Sequence, residues 1–387
     1  MPFVPLYAVS LLLHGLLAWR LLPALAAYAW PWASVTALGL ALSALLLPMG
    51  LLGTRSARGS LGQWLSWAGL LCMGLFSSLL VLTLLRDALL LLLDALQALG
   101  LAGTDSAGLR QWSALALVPA AALLTAWGFV NARRTAGVVT VDLPIAGLPP
   151  ALQGFRIVQI SDIHVGPTIG QAYLERIVAR VNALDADVVA ITGDLVDGPV
   201  SRLGPLLAPL QGLRARHGSF FVTGNHEYYS GAEAWVVQLR QLGLVVLMNE
   251  HRVIQHQAPS GESAALLLAG VTDYSAGQFI ASHRSDPQQA IAGAPAAAVR
   301  ILLAHQPRSA AAAAQAGFDV QLSGHTHGGQ FWPWGYFVRL QQPFTAGLHR
   351  FQSLWVYTSR GTGYWGPPKR LGAASEIGVL RLVAAPH

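Results

Sequence analysis

Phe155-Arg156-Ile157-Val158-Gln159-Ile160-Ser161-Asp162-Ile163-His164 decides how the C-terminal part of this chain folds. Residues 155–160 are mostly apolar, with Arg156 and Gln159 the exceptions, and short enough for a buried strand, and a carboxylate and an imidazole follow at once. The pattern recurs. A strand over 187–192 precedes Gly193-Asp194-Leu195-Val196-Asp197, one over 219–223 precedes Gly224-Asn225-His226-Glu227, one over 300–304 precedes His305, and one over 318–322 precedes Gly324-His325-Thr326-His327. Polar groups placed just past strand ends would emerge together on one rim of a sheet.

Outward from these runs, 171–184 and 203–216 read as helices, and the alanine run 310–314 fits a helix between two strands. Further strands are expected over 245–248, 265–270, 354–358 and 377–383, with 257–263 as a surface hairpin loop. Helices alternate with strands at first and strands bunch later, which predicts an α/β domain with a mixed sheet or two packed sheets.

The five clusters supply carboxylates, one amide oxygen and imidazoles, the donor types that suit divalent transition metals. Asp162 and His164 share one face if the segment is extended, and so do His325 and His327. Asp194 can offer one oxygen to each of two ions, and Asn225 is a neutral oxygen donor. His226 can stay off the metal and serve as a general acid or phosphate contact, a role worth ~10²–10⁴-fold in rate. Asp197 and Glu227 read as supports rather than ligands. Taken singly, each cluster has an ordinary explanation: a helix cap, a polar turn, a structural histidine. Their joint order argues for two adjacent ions, which together can clamp a phosphate and activate a water.

These motifs, Asp-x-His, Gly-Asp-x-x-Asp, Gly-Asn-His-Glu, a lone His and Gly-His-x-His, resemble the signature of the calcineurin-like metallophosphoesterase family over about residues 153–383. The resemblance implies two mixed β-sheets flanked by helices, a four-layer sandwich. It implies one metal site of Asp162, His164, Asp194 and His327, a second of Asp194, Asn225, His305 and His325, and His226 as the acid–base or phosphate-contacting residue. Mn, Fe or Zn fits this mixture of imidazole and carboxylate. The ending from Ser359 to Pro368 resembles a bacterial subgroup with membrane-anchored phosphodiesterase-like members. There Arg360 is either a phosphate contact or a structural arginine.

The front third is of another kind. Over all 387 residues, 53% are hydrophobic and only 11% charged, with a mean hydropathy of +0.48. Uncharged stretches at 33–52, 65–85 and 112–130 each approach the ~20 residues that cross a bilayer as a helix. A fourth, 4–22, holds His14 and Arg20, and Arg20 lies where it could snorkel. It lacks the basic start and small-residue cleavage site of a signal peptide. Residues 87–101 place Asp87 and Asp94 on one helical face and read as an interfacial helix or an extension of the third span. The expected division is 1–135, a transmembrane region of about four helices, and 136–387, a catalytic domain. Arg55 and Arg58, then Arg133 and Arg134, are the clean basic pairs. With four spans the positive-inside rule puts the catalytic domain in the cytoplasm, and a crossing by 87–101 would move it to the other side. The subgroup resemblance implies the inner or plasma membrane of a bacterium.

The formal charge of +6 divides as +4 before residue 136 (seven arginines, three aspartates) and +2 after it (seventeen basic, fifteen acidic). With no basic run or aromatic-interleaved patch, no nucleic-acid partner is expected. The one cysteine, Cys72, excludes an intramolecular disulfide. Four spans nearly free of interior charge suit an anchor better than a transporter. The reading is a membrane-anchored phosphoesterase acting on phosphate mono- or diesters or pyrophosphates, with the anchor favouring a lipid-linked substrate. The rival is a non-enzymatic sensor or scaffold that keeps a hydrolase domain, and it would be marked by lost ligands.

Overall fold

The computed structural model describes residues 3–56, 59–101 and 106–386. The chain forms two compact units, residues 1–131 with 366–369, and residues 132–365 with 370–387.

The first unit is helical: α1 (Phe3–Tyr28), α2 (Trp30–Ser56), α3 (Gly59–Ala98) and α4 (Ser106–Arg133). Each is long and apolar enough to cross a membrane. Residues 87–101 are largely the end of α3, whose 40 residues span about 60 Å at 1.5 Å per residue, twice a hydrocarbon core. The acids at that end are paired. Arg20 Nε lies 2.7 Å from Asp87 Oδ2, Arg86 Nη1 lies 3.0 Å from Asp87 Oδ1, and Arg110 contacts Asp94. Where α2 crosses α3, Gly50 and Gly69 let the backbones touch. A Cβ on Gly69 would stand 2.2 Å from the Leu46 carbonyl oxygen, the small-residue packing expected between helices in lipid. Arg58 and Asp105, and the side chain of Arg55, lie outside the described residues, so the basic pair 55/58 has no structural account.

The second unit is built on two six-stranded sheets. In chain order the strands are β1 (Gly137–Ile145), β2 (Arg156–Ile160), β3 (Val188–Ile191), β4 (Ser219–Phe221), β5 (Val245–Val246), β6 (Glu250–Gln257), β7 (Ser263–Gly270), β8 (Val299–Leu303), β9 (Val320–Ser323), β10 (Gly347–Phe351), β11 (Leu354–Thr358) and β12 (Glu376–Ala384). The first sheet runs β1-β12-β2-β3-β4-β5 and the second β10-β11-β9-β8-β7-β6. β2 to β5 are mutually parallel, as are β7, β8, β9 and β11. Parallel strands send their C-terminal ends to one rim of each sheet, which is where ligands collect in α/β folds.

Alternate side chains of the two sheets meet in one core, with Ile157, Val188 and Phe220 from the first facing Leu268, Ile301 and Leu322 from the second. The other face of the first sheet buries Val158, Val189 and Phe221 under α5 (Gln171–Asn182) and the helix Ala232–Gln241, through Ile177, Val181 and Trp235. The outer face of the second sheet packs Leu267 and Leu302 on Ala310 and Ala313 of the helix Ala310–Gln315. The layers are therefore helix, sheet, sheet, helix. Each fully buried Val, Leu, Ile or Phe contributes roughly 1.5–3 kcal/mol.

Two expectations need correction. The region 203–216 is not an α-helix: a short α turn, Val200–Leu203, passes into a 3-10 helix, Gly204–Gly212. Pro205 and Pro209 lack the N–H groups an α-helix requires there. The hairpin at 257–263 begins and ends on a paired couple, Gln257 opposite Ser263, so the loop proper is shorter by one residue at each end.

Candidate metal centre

The five clusters converge. Asp162, His164 and His327 form one group of potential ligands, Asp194, His305 and His325 another, and Asp194 also joins His164 and His226. His164 Nε2 lies 3.1 Å from His327 Nε2, and His327 Nε2 lies 3.5 Å from Asp162 Oδ1. In the second group His305 Nε2 is 3.1 Å from Asp194 Oδ2 and 3.2 Å from His325 Nδ1. Asp194 Oδ2 is also 3.9 Å from His164 Nε2, so one carboxylate oxygen stands between the two groups.

The backbone that does this is not the extended chain expected. Asp162 (φ 54°), His164 (φ 56°), Asp194 (φ 54°), His325 (φ 71°) and His327 (φ 52°) all hold left-handed conformations. Asp and His tolerate that region better than most residues, yet each instance costs of order 1–3 kcal/mol unless its surroundings enforce it. Face alternation in a strand is thus the wrong picture for Asp162 and His164 and for His325 and His327. Asp162 and His164 do reach one group, but His325 and His327 diverge, one to each group. Two glycines make the close approach feasible. A Cβ on Gly224 would stand 2.2 Å from Asp194 Oδ1, and one on Gly324 would stand 2.0 Å from Ser161 Oγ and 2.3 Å from Asp162 Oδ2.

The imidazoles are oriented from behind. His305 Nδ1 donates to the Thr192 carbonyl oxygen (2.7 Å), which leaves Nε2 facing Asp194. His164 Nδ1 lies 3.0 Å and His226 Nδ1 2.6 Å from the same Asp197 Oδ1. A carboxylate behind an imidazole fixes its tautomer and raises its basicity. Glu227 accepts backbone N–H groups from Gly224 (2.7 Å), Asp194 (2.9 Å) and Leu195 (2.7 Å), tying the second and third clusters together. Asp197 and Glu227 thus contact the imidazoles and backbone of the clusters from behind. Arg370 escaped sequence reasoning. It is fully buried, donates to the carbonyl oxygens of His327 (2.9 Å) and Arg360 (2.8 Å), and sets Nη2 3.2 Å from His327 Nδ1. No motif marks it. Arg360 pairs with Glu376 at 3.0 Å.

Electrostatics follow the burial. Burial opposes ionisation of Asp194, but His305, His226 and His164 hold its carboxyl well below the usual range. Burial and His305 push His325 down to about 3, and burial and His164 push His327 well below its ordinary value. Both are thereby neutral, the form that binds metal. Burial also works against a charged His226, yet Asp194 and Asp197 raise it to about 9. The donors of the site fit a metal ion. Among the described residues Asn225 Oδ1 is buried without a hydrogen-bond partner, and a buried orphan acceptor is costly unless a cation or donor meets it.

Residues 155–329 match the calcineurin-like phosphoesterase family. The chain is 39% identical over 322 residues to a transmembrane protein with metallophosphoesterase domain from Danio rerio, covering 81% of this chain and 73% of that one. It is 42% identical over 296 residues to the protein of the same description from Bos taurus, covering 74% and 67%. It is 37% identical over 230 residues to an uncharacterized metallophosphoesterase from Helicobacter pylori, covering 59% and 60%. With four apolar helices ahead of the two-sheet domain, this is a membrane protein and a metal-dependent phosphoester hydrolase. The chain belongs to the calcineurin-like metallophosphoesterase family.

Proposed function

We propose that residues 136–387 form a two-metal phosphoesterase held at a membrane by residues 1–135, and that its substrate is lipid-linked. The observation that carries the two-metal reading is Asp194 Oδ2, placed 3.1 Å from His305 Nε2 and 3.9 Å from His164 Nε2 between two ligand groups. Asp162, His164, Asp194 and His327 would hold one ion, and Asp194, Asn225, His305 and His325 the other. Mn, Fe or Zn suits these donors. When bound, the ions would offset phosphate charge and lower the pKa of a water at the site.

The chain's own residues supply the rest. His226 keeps Nδ1 on Asp197 and leaves Nε2 free to donate a proton to the leaving oxygen as the phosphorus–oxygen bond breaks. Tyr229 and Trp365 flank its ring edge-on at 5.2 and 5.7 Å, which limits the directions that ring can take.

A lipid-linked substrate is supported by what lies next to His327. A cavity of about 310 Å³ opens there, lined by Gly328, Phe331, Trp332, Tyr336, Arg339 and Leu371. Around it Trp332, Tyr336, Phe337 and Leu340 are 47%, 73%, 55% and 85% exposed. Aromatic and aliphatic side chains clustered in the open beside one arginine suit acyl chains or a headgroup zone. The positive-inside rule favours a cytoplasmic domain. A sensor or scaffold that has lost catalysis is disfavoured, since no ligand is missing. The test is the full-length protein stripped of metal, then given Mn²⁺ and a panel of phosphomonoesters, diesters and lipid pyrophosphates. Metal-dependent turnover with preference for a lipid-bearing member is expected. No turnover on any member would leave the scaffold reading standing.

A further inference from the structure

A second cluster of metal-ligand type stands at the opposite end of the first sheet. Asp187 directly precedes β3, His217 stands just before β4, and His256 lies near the end of the edge strand β6. Their donor atoms come together. His217 Nε2 is 3.0 Å from His256 Nδ1, and His256 Nδ1 is 3.9 Å from Asp187 Oδ1. The catalytic ligands give an internal measure of what such spacings mean. There the facing ring nitrogens are 3.1 and 3.2 Å apart, and the His164–Asp194 separation is 3.9 Å. Two metal–nitrogen bonds of ~2.1 Å place their nitrogens about 3.0–3.4 Å apart, depending on the angle between them.

We infer that Asp187, His217 and His256 form a separate site for one late first-row divalent ion, Zn²⁺, Ni²⁺ or Cu²⁺. Two imidazoles and one carboxylate favour those ions over Mg²⁺ or Ca²⁺. The three residues are braced before any ion arrives. His217 N donates to the Asp187 carbonyl oxygen at 2.8 Å, and Asp187 Oδ2 accepts Arg156 N at 2.8 Å, which leaves Oδ1 toward the imidazoles. Phe155 packs on both rings, 6.0 Å from His217 and 4.9 Å from His256. Burial lowers the pKa of both histidines against the opposing pull of Asp187, which favours the neutral form that binds metal.

The site is independent of catalysis. The four residues of β3 separate Asp187 from the Asp194 end by at least ~13 Å of extended chain. Its role is structural. β6 is an edge strand bonded only to β7, and an ion on His256 would staple that edge to the starts of β3 and β4 in the other sheet.

The experiment uses full-length protein in detergent, equilibrated with micromolar Zn²⁺ and desalted, with bound zinc counted per chain. The wild type should hold one zinc more than His256→Ala and one more than His217→Gln. Zinc should raise the thermal midpoint of the wild type more than that of either variant, and both variants should hydrolyse bis(p-nitrophenyl) phosphate with Mn²⁺ at the wild-type rate. Equal zinc counts in wild type and both variants would overturn the inference, as would a difference that appears only at millimolar zinc. If His256→Ala does not fold, the count for His217→Gln decides alone.

Discussion

Asp197→Asn isolates what a single carboxylate does for two imidazoles. Asp197 Oδ1 takes His164 Nδ1 at 3.0 Å and His226 Nδ1 at 2.6 Å, and asparagine keeps the shape while removing the charge. Hydrogen bonds to a charged group are worth ~1.5–3 kcal/mol against ~0.5–1.5 for neutral ones. Two bonds weakened by ~1–1.5 kcal/mol each give ~2–3 kcal/mol, which at ~1.4 kcal/mol per decade is roughly a 30- to 150-fold loss. The loss should appear in kcat/KM for a diester at saturating Mn²⁺. The pH profile carries a second signature. Asp194 and Asp197 raise His226 to about 9, and bound ions would cancel much of Asp194's share, leaving Asp197 as the main support. A general acid must be protonated, so His226 limits the alkaline limb, and removing Asp197 should move that limb to lower pH. His226→Ala should abolish the limb. An Asp197→Asn enzyme within threefold of wild type with an unmoved alkaline limb would refute the role given to Asp197.

Three further outcomes are expected. Gly324→Ala should lose most activity and bound metal, because its Cβ would meet Asp162 Oδ2 at 2.3 Å; metal counting and circular dichroism separate site damage from unfolding. Trp235→Ala, at a fully buried position, should destabilise the catalytic domain by ~3–5 kcal/mol, read as a lower urea midpoint with the remaining native fraction still active. Changing Phe337 and Leu340 together to Ser, at exposed positions, should raise KM for a lipid-linked phosphoester while leaving kcat/KM for a soluble diester unchanged. Equal effects on both substrates would remove the support for a lipid.

The sequence exposed the interior strands best. β2, β3, β8, β9 and β11 are short and mostly buried, and β11 falls on the residues 354–358 expected for it. Three of the four sheet edges, β1, β6 and β10, were not anticipated. An edge strand has less to bury. Glu-His-Arg-Val-Ile-Gln-His-Gln in β6 hides only Ile254 and His256, so its hydrophobic signal is faint and its pairing with β7 defines it. The seven candidate positions stood out because each follows a strand end, and the layout of the sheets brings those ends together. Their backbone was not legible, since left-handed φ at Asp162, His164, Asp194, His325 and His327 comes from the surrounding packing. Arg370 illustrates the same limit. It lies far along the chain from His327, and only the folded domain makes them neighbours.

The central claim is that two ions share Asp194, and electron paramagnetic resonance of Mn²⁺-loaded, active protein tests it most directly. A carboxylate that bridges two Mn²⁺ ions couples their spins. A coupled-pair spectrum should rise with activity as Mn²⁺ is added and be lost in Asp194→Asn. Full activity accompanied only by the signal of isolated Mn²⁺ would contradict the claim.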